Sequence, residues 1–276
     1  MDPGTIKALA LDLDGTLLAP GAVLTERTIA AVKSCIRRGL TIIISTGRSL
    51  QATEPYRVSL GAEGPMVYFN GALVTDMPRN EVLSTILLEK EKAEFCLDLS
   101  RETGVYCQMF IPGKASQITL MAERGTPERT MYHNHTGILA ELVDLKEVLK
   151  SSGSCGCFKT MFLAEPEVLT ALRPRVYEHF GDEVYIAQTY PTFLEVMDKN
   201  VSKGRGLTIA MKHRSIKREE IIAFGDEEND LPMFTVAGFS VVPSSANENV
   251  KTAADLVIGS NAEDGVAAFL EEFFKF

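Results

Sequence analysis

The chain has 276 residues, 45% of them hydrophobic, and its 28 basic and 37 acidic side chains leave a formal net charge of −9. That length favours two domains over one, and the apolar share is enough for a sizeable core. The negative balance argues against nucleic acid or an anionic membrane as a general partner, so any bound anion must be held by local cations or a metal.

Met1-Asp2-Pro3-Gly4 leads straight into an apolar run with no secretory signal pattern, and no stretch is long and apolar enough to span a bilayer. Cys35, Cys96, Cys107, Cys155 and Cys157 form an odd, unpatterned set that suits a reducing cytoplasm. Cys155-Gly156-Cys157 lacks a second pair at zinc spacing, and His133 and His135 lack an acidic partner nearby. Both groups read as incidental rather than metal-ligating.

Residues 6–11 read as a strand buried on both faces of a parallel sheet. The run ends in Asp12 and Asp14, which the alternation of an extended chain places on one side, and the chain turns at Gly15-Thr16. Ligands of open parallel sheets bind beyond the carboxyl ends of the strands, and a capping role would need only one carboxylate. Next comes a helix with Thr25 as its cap and Arg37-Arg38-Gly39 at its end. Residues 40–44 are a second buried strand, whose tip Ser45-Thr46-Gly47-Arg48 precedes a helix over about 49–60. A hydroxyl, backbone N–H groups and Arg48 at a strand-to-helix turn suit an anion. A third run, 66–69, ends in the tight turn Asn70-Gly71.

From about residue 82 the pattern changes to strands over 82–88, 105–111, 117–121, 159–164, 183–187 and 192–197, with helices over 90–103, 127–139 and 165–180. Several strands follow one another without a helix, which indicates antiparallel pairing in a separate α+β domain. Residues 151–156 read as a loop within it. Strand–helix alternation resumes after Met197: Ser202 caps a helix opened by Lys203, and 219–224 is a strand ending in Gly225-Asp226-Glu227-Glu228-Asn229-Asp230. Further strands over 239–242 and 255–258 and a helix over 262–274 complete the chain. The first and last thirds thus form one sheet with the middle inserted.

Parallel strands bring the tips carrying Asp12 and Asp14, Ser45 and Thr46, and Asp226 to one edge, where Lys203 opens a helix. Asp12, Asp14, Asp226 and Asp230 would repel one another and any phosphate there, so a hard divalent cation is required, and magnesium fits best. The expected chemistry is in-line attack of Asp12 on phosphorus to form an aspartyl phosphate. Asp14 protonates the leaving alkoxide and then activates the hydrolytic water. Thr46, backbone N–H groups and Lys203 hold the transferring oxygens. Metal ligands are Asp12, the backbone carbonyl of Asp14, and Asp226, supported by Asn229 or Asp230.

These motifs resemble the haloacid dehalogenase superfamily, specifically its Cof-type sugar-phosphate phosphatases with a large α/β cap. The matching residues are Asp12-Leu13-Asp14-Gly15-Thr16, Ser45-Thr46-Gly47-Arg48, Asn70-Gly71-Ala72, Val201-Ser202-Lys203-Gly204 and Gly225-Asp226-Glu227-Glu228-Asn229-Asp230, in the family's order. The resemblance implies an α/β fold with a Rossmann-like parallel sheet core (1–82 and 197–276) and an inserted α+β cap domain (83–196) that closes over the substrate. It further implies magnesium dependence and hydrolysis of a small phosphorylated metabolite. Thr46, Gly47, Arg48, Lys203 and Asn229 are the expected phosphate-binding residues, with Ser45, Asn70, Gly71 and Asp230 in support. One departure is Val242-Pro243-Ser244-Ser245-Ala246, where relatives read as a small residue followed by Met-Gly-Asn-Ala. A phosphomutase or phosphotransferase would use the same groups, and a non-catalytic binding protein could keep the fold. A dinucleotide enzyme is disfavoured because the first strand–helix turn lacks G-x-G-x-x-G.

Overall fold

In the computed structural model, which describes residues 2–113, 117–151 and 156–276, the first apolar run forms β1 (Ala8–Leu11), buried at every position. Helix α1 (Glu26–Arg37) starts where the Thr25 side chain accepts from Thr28 N, and it buries Ala31, Val32 and Cys35. β2 (Thr41–Ile44) follows, then α2 (Leu50–Leu60), capped by Ser49 and stopped by Gly61 in the left-handed conformation. Residues 66–69 give β3 (Gly64–Tyr68), which meets the tip of β2 only through the parallel bridge Ser45–Val67 and the bond from Thr46 N to Val67 O at 2.9 Å. It pairs antiparallel with β4 (Leu73–Met77), itself paired with β5 (Glu81–Thr85). No sequence pattern marks β4, and the expected domain change at residue 82 falls inside β5; cross-strand pairing to β4 keeps β5 with the first unit.

The insert contains α3 (Lys90–Thr103), β6 (Tyr106–Pro112), β7 (Ile118–Ala122), α4 (Pro127–Thr136), β8 (Glu141–Leu142), α5 (Leu145–Lys150), β9 (Thr160–Leu163), α6 (Pro166–Phe180), β10 (Val184–Tyr190) and β11 (Phe193–Asp198). Its sheet has the order β10-β11-β9-β6-β7-β8, antiparallel apart from the β7–β8 pair. One face packs Cys107, Met109, Phe162, Leu194 and Val196 against Leu97 of α3 and Leu169 and Leu172 of α6. Period-two alternation puts Phe110, Lys159, Met161, Phe193 and Glu195 on the other face. There Tyr132 of α4 lies 6.5 Å from Phe110 and 5.7 Å from Phe193, ring centre to ring centre. Lys159 Nζ is 2.5 Å from Glu195 Oε1, and both side chains are buried. The His135 ring lies 5.1 Å from Tyr190, tilted, and 5.8 Å from Phe193, edge-on, ring centre to ring centre. Helix α4 ends at Thr136 because Gly137 turns left-handed, three residues before the predicted 139. Most of the predicted loop 151–156, Cys155 included, lies outside the described residues.

The chain then returns through α7 (Lys203–His213), β12 (Ile221–Phe224), α8 (Leu231–Val236), β13 (Phe239–Pro243), α9 (Glu248–Ala253), β14 (Leu256–Ile258) and α10 (Gly265–Phe274). The main sheet runs β14-β13-β12-β1-β2 with every pair parallel, and its order reverses at β1. The molecule is thus an α/β protein with a Rossmann-like parallel sheet and an inserted α+β cap domain. Two compact units divide the chain, Met1–Thr85 with Ser202–Phe276 and Ile86–Val201. Both boundaries fall a few residues later than 82/83 and 196/197, because β5 and β11 each stay with the sheet that pairs them. Among the described residues Cys35, Cys96, Cys107 and Cys157 are free and buried, and burial pushes the Cys35 and Cys157 thiols up to about 12. No helix of the described residues is long and apolar enough to cross a membrane.

Candidate active site

Register builds the site. Leu11 is paired with Ile44 of β2 on one side and Phe224 of β12 on the other, so Asp12, Ser45 and Gly225 leave the sheet edge side by side. This edge is the switch point of a doubly wound sheet, where neighbouring loops diverge and leave room for a ligand. Asp12 is buried at that edge, and its backbone N–H still donates to Phe224 O at 3.1 Å.

The extended alternation expected for Asp12 and Asp14 stops short of them. The chain is already turning at Leu13, whose carbonyl accepts from Leu17 N at 3.0 Å and Leu18 N at 2.8 Å. The two carboxylates therefore come from a turn and have different surroundings. Asp12 is buried, whereas the Asp14 side chain is 54% exposed. Gly15 takes a φ of 78°, and a Cβ there would lie 2.1 Å from Asp226 Oδ2, so only glycine lets the loop pass.

Lys203 is the first residue of α7, fixed by Ser202, whose side chain accepts from Arg205 N. Its Nζ donates to Asp12 Oδ1 at 2.7 Å and to Asp230 Oδ1 at 2.6 Å. The other oxygen of Asp230 accepts from the backbone N–H groups of Asp226 at 3.0 Å and Glu227 at 3.1 Å. Asp226 Oδ1 accepts from the Thr16 hydroxyl at 2.5 Å. Lys203 is only 2% exposed, so one buried cation faces three buried carboxylates. Ligand atoms of Asp12, Asp226 and Asp230 all lie within 4.8 Å of one another.

Electrostatics follow from that imbalance. Burial, above all, drives the Asp12 carboxyl well up; Asp230, Asp226 and Asp14 add to the shift, while Lys203 opposes it. Burial likewise pushes Asp226 up to about 7 against the pull of the Thr16 hydroxyl bond. Burial disfavours the charge on Lys203, yet Asp12 and Asp230 outweigh it and hold the ammonium above its ordinary value. Three buried acid groups short of positive charge, two of them shifted toward the neutral form, fit a hard divalent cation with oxygen ligands.

Of the second tip, Thr46 is buried, and its Oγ1 accepts from Arg48 N at 3.1 Å. The Arg48 guanidinium grips both oxygens of Asp14, at 2.7 and 2.6 Å, so the Asp14 carboxylate is an ion-pair partner, and of the four aspartates expected to gather, the carboxylates of Asp12, Asp226 and Asp230 cluster without it. Tyr56, which sequence reasoning missed, supports Arg48 from below, with Cζ 5.0 Å from its ring centre. No motif marks Tyr56; its place two turns along α2 is visible only in three dimensions. Ser45 Oγ is buried without a partner, and Asn229 donates to Asn70 at 3.0 Å. The departing loop 243–246 is tied down elsewhere: Ser244 N donates to Ile258 O at 2.9 Å, and Ser245 Oγ to Asn261 at 2.8 Å.

A parallel sheet with an inserted cap and acid groups at its switch point defines a hydrolase scaffold. The chain belongs to the haloacid dehalogenase-like hydrolase family, whose model matches residues 9–270. A Haemophilus influenzae protein is 32% identical over 275 residues, 97% of each chain. The HMP-PP phosphatase of Serratia proteamaculans is 28% identical over 96% of this chain and 94% of its own. Among solved structures, TM0651 of Thermotoga maritima superposes with a TM-score of 0.84 at 30% identity, over 97% of each chain.

Proposed function

We propose that the protein is a magnesium-dependent phosphatase that hydrolyses small phosphomonoesters by way of an aspartyl phosphate on Asp12. The observation that carries this reading is the Lys203 bridge between Asp12 and Asp230 beside Asp226. It holds the Asp12 carboxyl in a fixed orientation while the surrounding acid groups call for a cation. The family and the name of the Serratia relative support the same class.

Asp12, Asp226 and the backbone carbonyl of Asp14 would hold the magnesium ion, with Asp230 supporting them. The ion supplies positive charge that offsets the repulsion between the attacking carboxylate and a phosphate dianion. Lys203 holds Asp12 Oδ1, leaving Oδ2 to attack phosphorus in line. Asp14 protonates the departing alkoxide and afterwards takes a proton from the water that cleaves the acyl phosphate; Arg48 orients it for both steps. Thr46 with the following backbone, Lys203 and Asn229 receive the phosphoryl oxygens. Ser45, Gly47 and Gly71 shape the loops that carry these groups. The parallel-sheet unit is then the catalytic core.

Phosphate release from sugar phosphates, nucleotides and phosphorylated cofactors, measured with magnesium and with chelator, tests this reading. Asp12→Asn should lower kcat by a factor of at least about 10⁴ while leaving the melting temperature unchanged or higher. Phosphate moved to another hydroxyl instead of being released would replace the hydrolase with a mutase. Retained hydrolysis in the Asp12 variant would remove that residue as nucleophile.

A further inference from the structure

The turn after β3 does more than reverse the chain. Phe69 and Asn70 both take left-handed conformations, with φ of 49° and 55°, and Asn70 is 1% exposed. From this buried position Asn70 touches two separate loops of the site. Its backbone N–H donates to Thr46 O at 3.0 Å, which fixes the tip of β2. Its side-chain Oδ1 accepts from Asn229 Nδ2 at 3.0 Å, which fixes an amide in the loop after β12. The Asn70 amide also lies flush against Gly47, where a Cβ would come within 3.1 Å of Asn70 Oδ1. One residue on, a Cβ at Gly71 would lie 2.2 Å from the Ser202 carbonyl, at the start of the helix that presents Lys203.

An asparagine in this place is not required by the backbone alone, because glycine tolerates the left-handed region better. The amide also leaves Asn70 Nδ2 and Asn229 Oδ1 buried without partners, an arrangement that works against stability and is not kept for it. What the side chain secures is the orientation of Asn229, whose amide would otherwise rotate freely about its last torsion. We propose that Asn70 is a positioning residue, which holds the Asn229 amide and the Thr46–Gly47 loop in the arrangement that receives a phosphoryl group. It acts through Asn229 and is not itself a catalytic residue. The inference rests on the phosphatase reading for the role of Asn229.

The test is a double-mutant cycle of Asn70→Gly and Asn229→Ala, read on p-nitrophenyl phosphate hydrolysis and on competitive inhibition by inorganic phosphate, both with magnesium. Asn70→Gly keeps the turn geometry and removes only the amide. Its melting temperature should stay within a few degrees of wild type, while kcat/KM falls roughly tenfold or more and the phosphate inhibition constant rises in parallel. The double variant should be no worse than Asn229→Ala, because the two side chains act as one unit. Wild-type kinetics in Asn70→Gly would overturn the proposal and leave only a turn requirement. Losses that multiply in the double variant would also overturn it. Should Asn70→Gly not fold, the wild-type protein still decides: the Asn229 side-chain amide protons should exchange slowly by NMR, and free-amide exchange would refute the hold. If wild-type protein hydrolyses nothing, the phosphatase reading fails separately, and the cycle is then read on direct binding of inorganic phosphate.

Discussion

Gly15 and the Asp226 carboxylate touch across the site, so close that a Cβ on Gly15 would lie 2.1 Å from Asp226 Oδ2. The glycine of the first loop therefore sets where the acid of the third loop can stand. Gly15→Ala should displace Asp226 as well as strain a backbone at φ 78°. Magnesium affinity is expected to fall by about 10-fold to 100-fold, with kcat/KM following it. Isothermal titration and phosphate-release assays on the same preparation measure both, and unchanged affinity would show that the carboxylate has room to move.

The Asp226 carboxyl, raised by burial to about 7 from 3.8, makes the metal-free protein sensitive to pH. Because the folded form holds its proton through that window and the unfolded form does not, this group's contribution to stability is lost as pH rises from about 4 to 7. A divalent cation competes with the same proton, so the melting-temperature gain from magnesium should be larger at pH 8 than at pH 5.5. Thr16→Val removes the hydroxyl bond that opposes the shift, and it should move the midpoint of this dependence higher and weaken magnesium binding about tenfold. A gain that shrinks as pH rises would contradict the assignment.

In the insert, Lys159 and Glu195 form an ion pair with both side chains 3% exposed. Lys159→Met should destabilise the protein by about 3–5 kcal/mol, because it strands a buried carboxylate. Replacing both residues, Lys159→Met with Glu195→Leu, should recover most of that loss. Urea unfolding of wild type, Lys159→Met and the double variant tests the order, and equal stability of single and double variants would show the pair to be uncoupled.

Much of this site was legible because its determinants are local. An apolar run followed by carboxylates, a hydroxyl before a helix, or a lysine behind a serine cap each show within a dozen residues, and Thr25, Ser49 and Ser202 cap the helices they were expected to start. Other readings failed where the decision was not local. Residues 66–69 show as a strand, but which strand they pair with does not, because β4, their antiparallel partner, carries no local signal. Extended alternation puts Asp12 and Asp14 on one side, but the strand ends at Leu11, since a period-two pattern cannot register where the hydrogen-bonded ladder stops.

By itself the sequence determined which groups would stand at the strand tips and what chemistry they suit, because strand pattern and turn residues act over a few neighbours. Only the tertiary structure decided how those groups share their bonds. Lys203 joins Asp12 from 191 residues away, Thr16 holds Asp226 across 210, and Asn70 meets Asn229 across 159. Charge and hydrogen-bond geometry depend on distance in space, and strand order and register, not position along the chain, set that distance.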